Sequence, residues 1–217
     1  MANWQHLPLY MEGQYMAIDP SKFHKINVAD TCSVWNILSS RRLYAAAQEA
    51  KCEFCMTGFV LYECLVKPRT AATEADLELR ERLKQEQTKG KFASHSCSID
   101  DLQAIAALES RKKLGKGELS SIAFASRIRQ AFITDDRKAR ALSESVAQAI
   151  TQTTPHMHSW LIFTNVLTDA DHQVVLSQHI EMGGSLATHL ETAYGMALQC
   201  WLNIHASNKT PDFDALL

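Results

Sequence analysis

The sequence has no uninterrupted apolar run of about 18 residues, the length a membrane-spanning helix needs. Met1–Tyr15 mixes polar and aromatic residues, without the basic end and apolar core of a signal peptide. Charge of one sign is also missing: 22 Lys and Arg against 24 Asp and Glu leave a formal net charge of −2. That excludes a whole-chain polybasic footprint, so a nucleic-acid partner needs a local basic patch. There is no GxxxxGK[S/T] or GxGxxG phosphate loop and no GxSxG nucleophile elbow. Internal repeats and low-complexity segments are absent. The six cysteines are scattered through a chain too large to need disulfide staples. They read as reduced thiols of a cytoplasmic protein. Cys52-Glu53-Phe54-Cys55, with His95 and Cys97, is formally a Cys₃His zinc set. A lone CxxC lacks the paired spacing of strong zinc signatures, however, and Cys55 falls in a predicted strand as small core filler. His156, His158, His172, His179, His189 and His205 follow no ligand spacing and read as surface or capping residues.

What is present is an ordinary globular composition, 46% hydrophobic and 21% charged over 217 residues. That is enough for one domain with a full core, or one domain and a small extension. The chain is organised around Ile26-Asn27-Val28-Ala29, a short run that ends abruptly in Asp30. Ala131-Phe132-Ile133-Thr134 repeats the design and runs into Asp135-Asp136. Further strands are predicted at 54–57 and near 148–151. One helix from Thr31 or Ser33 to about Ala50 follows the first strand. Residues 60–66 read as a short buried helix, and 71–88 as a charged one, either solvated or an arm over a partner. Ser98 caps a helix to about Arg111, and Glu118 opens another to about Arg129. More helices start at Arg137, around Trp160, at Asp169 and at Ser185. Strands separated by helices imply a parallel sheet covered on both faces, a three-layer α/β/α sandwich with extra C-terminal helices. The divisions are an N-terminal arm at 1–24, a main domain at 25–165 and a helical extension at 166–217 packed on it.

Parallel strands point the same way, so Asp30 and Asp135/Asp136 fall on one edge of the sheet, where open α/β sheets bind ligands. Glu63 sits inside the apolar Val60–Val66 run, and Glu118 shares a helix face with Ile122 and Ala125. Buried, unpaired carboxylates cost several kcal/mol or give up their charge. A hard divalent ion, Mg²⁺ or Mn²⁺, removes that problem. The candidate ligands are Asp30, Glu63, Glu118 and Asp136, with Asp135 as an alternate. Each also has a local explanation: Asp30 as a helix cap, Glu118 as a first-turn acid, and Glu63 paired with Lys67.

The order of these motifs resembles the PIN-domain nucleases. The matching stretches are Val28-Ala29-Asp30-Thr31-Cys32-Ser33, Val60-Leu61-Tyr62-Glu63, Gly117-Glu118 and Phe132-Ile133-Thr134-Asp135-Asp136-Arg137. The resemblance covers about residues 25–165. It implies a metal-dependent endoribonuclease whose Asp30, Glu63, Glu118 and Asp136 hold one or two Mg²⁺ or Mn²⁺ ions. Ser33, Thr134 and Arg137 would lie against substrate. Two features depart from the family pattern: the third acid is Glu118 where Asp is common, and the last acid is doubled. The resemblance implies RNA as substrate and, by analogy alone, an antitoxin as partner. Arg41-Arg42, Lys67/Arg69, Lys112-Lys113-Lys116 and Arg137/Lys138/Arg140 follow the acids in sequence and are either a cationic rim or ordinary helix ends. Leu161, Phe163, Leu186, Leu190 and Trp201 serve either a homodimer or the core. The alternatives are a structure-specific DNA nuclease with the same acids, and a catalytically silent scaffold that binds RNA or protein.

Overall fold

Apolar runs that end in acids become the central strands of the computed structural model, which describes residues 19–68, 71–109, 114–146 and 150–207. The strands are β1 (Ile26–Ala29), β2 (Glu53–Thr57), β3 (Ala93–His95), β4 (Ala131–Ile133) and β5 (Thr151–Gln152). They form one all-parallel sheet in the order β3-β2-β1-β4-β5. Val28 pairs with Cys55 on one side and Phe132 on the other. The chain winds outward from β1 to β3, then crosses back to β4 and β5. The seam between β1 and β4 is therefore the topological switch point, where a crevice opens at the carboxyl ends of the strands. Asp30 follows β1 and Thr134–Asp136 follow β4, so the two acid-ended runs flank that crevice.

Alternation along the strands divides the core in two. Val28 and Phe132 face one apolar cluster with Ile105, Leu119, Ile122 and Leu142. These come from α5 (Ile99–Glu109), α6 (Lys116–Ile128) and α7 (Arg137–Val146). Ala29, Met56 and Ile133 face the other cluster. It is built by α1 (Thr31–Ser39), α2 (Arg41–Glu49), α3 (Gly58–Leu61), α4 (Glu74–Thr88), α8 (Thr154–Phe163), α9 (Asp169–Glu181) and α10 (Ala187–Ser207). A mixed α/β chain with an apolar core on each face of a parallel sheet is compatible with three-layer α/β/α packing. No helix of the described residues is long and apolar enough to cross a membrane.

Several expectations are corrected. The single helix to Ala50 is two helices, broken at the extended Ser40, whose hydroxyl caps α2 at Leu43 N. Asp30, rather than Thr31 or Ser33, caps α1. The freed carbonyls of Leu38 and Ser39 accept from Arg82 of α4 at 2.8 and 3.1 Å. The charged helix α4 is thus neither merely solvated nor a detached arm, and Leu79 and Leu83 bury its inner face. Residues 93–95, for which the sequence predicts no strand, form strand β3. Pro155 opens α8 in its first turn, where its missing N–H costs nothing. Leu161, Leu186 and Leu190 are buried in the core and Phe163 packs partly buried against it; Trp201 is more exposed and stacks on His205. The N-terminal arm lies mostly outside the described residues, as do Arg69, Lys112, Lys113, Gln148 and the tail beyond residue 207.

The histidines differ most from expectation. His158, His172 and His179 are buried where α8, α9 and α10 meet. His158 Nε2 and His172 Nδ1 lie 3.2 Å apart, and His172 stacks on Tyr194 at 4.0 Å. His179 Nε2 accepts from Leu186 N at 2.9 Å, which leaves Nδ1 to donate to Ser39 Oγ at 2.6 Å. Gly184 packs so closely on the His179 ring that a Cβ there would overlap it. Burial depresses all three pKa values, that of His158 to about 3. The folded state thus refuses protons that the unfolded chain takes up below its histidine pKa of about 6.5. Stability is full above that pH and falls as pH drops toward the folded value. Urea unfolding at pH 7 and pH 5 is expected to show a loss of about 2 kcal/mol from His158 alone. The His158→Phe variant, which keeps a ring but cannot titrate, should lose that much less over the same interval.

Candidate functional site

Asp30 lies at the centre of the crevice with no solvent exposure. Its Oδ1 accepts from Ser33 N at 2.9 Å and Cys32 Sγ at 3.0 Å, and its Oδ2 from Thr134 Oγ1 at 2.5 Å. Burial pushes its carboxyl up to about 6, against the pull of these three donors. Thr134 Oγ1 in turn accepts from Asp136 N at 3.1 Å, so one hydroxyl fixes the geometry of both strand ends. Burial and the adjoining Asp30 push the Cys32 thiol far up, which excludes it as a thiolate nucleophile. Ser33 is fully buried, and its contact with Asp30 is made by its backbone amide. Thr134 is likewise buried and acts on Asp30 rather than on a solvent-borne group.

The doubled acid separates into two roles. Asp135 accepts from Asn36 Nδ2 at 2.9 Å and from Thr154 N and Oγ1 at 2.8 and 2.6 Å, tying the end of β4 to α1 and α8. Asp136 caps α7 through Oδ1, accepting from Lys138 N and Ala139 N at 2.7 Å each. Its charge is felt by Glu118. The exposed Arg137 follows directly in the first turn of α7.

Glu63 is placed by an unusual element. The chain after β2 enters α3 and then widens into a π-helical turn, Tyr62–Val66. Glu63 Oε2 accepts from Thr31 Oγ1 at 2.5 Å and Oε1 from Gly117 N at 3.2 Å. These contacts, rather than a pairing with Lys67, hold it. A Cβ on Gly117 would fall 2.9 Å from Glu63 Cδ, so the glycine permits the approach. The first turn of α6 is itself anchored to β2: Thr57 and Ser120 hydroxyls lie 2.6 Å apart, and Ser120 Oγ donates to Gly117 O at 2.9 Å.

Glu118 shares this spot. A Cβ on Gly115 would lie 2.5 Å from Glu118 Oε2 and 3.7 Å from Glu63 Oε1, which places the two carboxylates side by side. Glu118 Oε2 is buried and has no hydrogen-bond partner among the described residues. Burial, with the charges of Glu63 and Asp136 added, raises its pKa. The structure therefore brings Glu63, Glu118 and Asp136 into one field, with Asp30 behind them joined through Thr31 and Thr134. Among the described residues no group of three or more His, Cys, Asp or Glu side chains is placed to hold a metal ion, and this applies equally to Cys52, Cys55, His95 and Cys97. The donor set of Glu63 and Glu118 nonetheless fits a hard cation, because Mg²⁺ is commonly held by one or two carboxylates with waters and phosphates. The orphaned Oε2 is the atom such an ion would satisfy.

Of the anticipated basic rim, Arg41 and Arg42 are engaged elsewhere. Arg41 pairs with Glu78 at 2.7 Å, and Arg42 grips Asp171 at 2.6 and 3.1 Å. Lys67 and Lys116 do line the cleft beside Glu63. Sequence reasoning did not single out Thr31, Asn36, Thr57, Gly115 or Thr154. The signals available were a hydroxyl directly after Asp30 and a glycine on each side of Lys116 just before Glu118.

No protein-family model matches the chain, and no curated protein is significantly similar to it. Fold and site together define a parallel α/β protein with Asp30 and Asp136 flanking its switch point and the Glu63 and Glu118 carboxylates beside them. Such a cluster opposes folding when no cation is present. The Glu118→Gln variant, which removes a buried charge and supplies a donor to Glu63, is expected to raise the Tm of EDTA-treated protein by about 2–4 °C. Differential scanning calorimetry in EDTA measures this directly.

Proposed function

We propose that the chain is a PIN-like, metal-dependent endoribonuclease over about residues 25–165. The observation that carries the reading is the buried, unpartnered Glu118 Oε2 set against the Glu63 carboxylate. Glu63 and Glu118 would hold Mg²⁺ or Mn²⁺, and Asp136 adds charge from across the crevice. The chemistry such an ion supplies is activation of a water and neutralisation of phosphate charge. The protein's own part is positioning. Thr31 and the Gly117 amide fix Glu63, and Thr134 fixes Asp30 and the start of α7. The ammonium groups of Lys67 and Lys116, with Arg137 at the start of α7, offset the repulsion between an acidic site and a polyanion. Supporting features are the placement of the acids at the switch point of a parallel sheet and the order in which they occur along the chain.

One observation favours a second reading. Both Asp30 oxygens are already satisfied by protein donors, as they would be in a scaffold that binds RNA or protein without cutting. Incubation with mixed RNA and DNA in Mn²⁺, Mg²⁺ or EDTA separates the readings. The expected result is RNA cleavage that EDTA abolishes. Glu118→Gln should lose about 100-fold or more, and Thr134→Val about 10- to 100-fold, as loss of a supporting hydrogen bond does in metal sites. Mn²⁺ should also raise the Tm of the wild type and not of Glu118→Gln. Cleavage of DNA alone would instead identify a DNA nuclease. EDTA-insensitive cleavage, or a fully active Glu118→Gln protein, would remove the metal-dependent reading.

A further inference from the structure

The acid pair does not open onto bare solvent. Glu63 forms one wall of a cleft of about 760 Å³ that runs away from the switch point, between the π turn, the start of α5 and the start of α6. Its lining is mainly apolar, with Phe59, Tyr62 and Leu102 prominent, and Lys67 and Lys116 stand among these side chains. Tyr62 is 50% exposed and Leu102 48% exposed, both high for large apolar groups in a fold with a full core. Tyr62 is the residue before Glu63, and the same π turn carries both. Side chains one apart on a helix diverge, so the turn sends Glu63 to Gly117 and leaves the Tyr62 ring at the cleft.

Phe59 packs against the core cluster on that face of the sheet, whereas Tyr62 and Leu102 belong to neither core cluster. An apolar cleft with an exposed aromatic ring, two ammonium groups and the Glu63 carboxylate in its wall matches a specific chemistry. A flat heteroaromatic ring would stack on Tyr62, the cations would meet a phosphate, and the next phosphate would fall at Glu63. We propose that this cleft is a nucleobase subsite that takes one unstacked base of a single-stranded nucleic acid, with Tyr62 as its stacking platform and specificity-determining residue. The inference rests on the nuclease reading for the role of the acids, but the binding it describes does not need a metal. A base inside a duplex is stacked on its neighbours and presents no free face, so duplexes are excluded from the cleft.

The test is equilibrium binding of a labelled single-stranded oligoribonucleotide to the full chain in EDTA, beside a duplex of the same sequence. Tyr62→Ala is expected to weaken single-strand binding by about 10-fold, within the range seen when one base-stacking aromatic is removed. Tyr62→Phe, which keeps the ring, should bind within about twofold of wild type, and the duplex should bind at least about 10-fold more weakly than the single strand. Replacing Lys67 and Lys116 with alanine should flatten the salt dependence of the same binding. Equal affinity of wild type and Tyr62→Ala, equal binding of duplex and single strand, or no single-strand binding would each overturn the inference. Because no cleavage is measured, the two proposals fail separately. Tyr62-dependent binding without cleavage removes only the nuclease reading. Metal-dependent cleavage by a protein whose binding ignores Tyr62 removes only the subsite.

Discussion

The structure depends on a carboxylate shut away from water. Asp30 closes β1, caps α1 and accepts the Thr134 hydroxyl from the end of β4. An isolated charge in such a place is strongly unfavourable. Three donors make it tolerable, and in doing so they fix the seam on which sheet and crevice both rest. Asp135 extends the lock sideways to α1 and α8 through Asn36 and Thr154. The arrangement is graded in depth. The innermost acids are satisfied by protein donors, while Glu118 keeps an oxygen that nothing among the described residues satisfies. The strand-end acids are therefore held by the framework itself, and the orphaned carboxylate oxygen is that of Glu118.

Small residues make the approach of Glu63 and Glu118 possible. Gly115 and Gly117 admit two carboxylates where any side chain would exclude them. Ser120 and Ser121 let α6 lie close on the sheet and still offer hydroxyls to Thr57, Gly117 O and Ala29 O. Under the proposed function, affinity for a cation and stability without one would be opposed by the same atoms, a common trade at functional sites. In the other core cluster, the buried imidazoles bind α9 and α10 to the rest through neutral hydrogen bonds and ring stacking.

The parts legible in the sequence were those whose cause is local. An apolar run that stops at an acid marked β1 and β4, and alternation of strands with helices marked the parallel sheet. The Ser98–Asp101 capping box marked the start of α5. What escaped depended on partners far along the chain. Strand β3 is three exposed residues that pair with β2, so no apolar pattern announces it. The break at Ser40 is made affordable by Arg82, which has no signature near residue 40. The histidines looked like surface residues because Ser39, Tyr194 and Leu186, which accommodate them, come from other elements. At the site, the acids were visible by type and order, whereas the hydroxyl and glycine contacts that aim them were not.

The widened turn at Tyr62–Val66 carries a consequence for how this surface can change. A π turn holds one residue more than an α turn over the same rise, at some cost in hydrogen-bond quality. Loss of a single residue there would let an ordinary helix re-form, with the flanking residues keeping their register and the directions of Tyr62 and Glu63 changing relative to each other. The fold would survive such an event, since the buried anchors Val60 and Cys64 lie on the sheet side. The partnership of ring and carboxylate on its outer face would not, which makes this short segment the point at which descendants of the chain can abandon one chemistry while keeping the architecture.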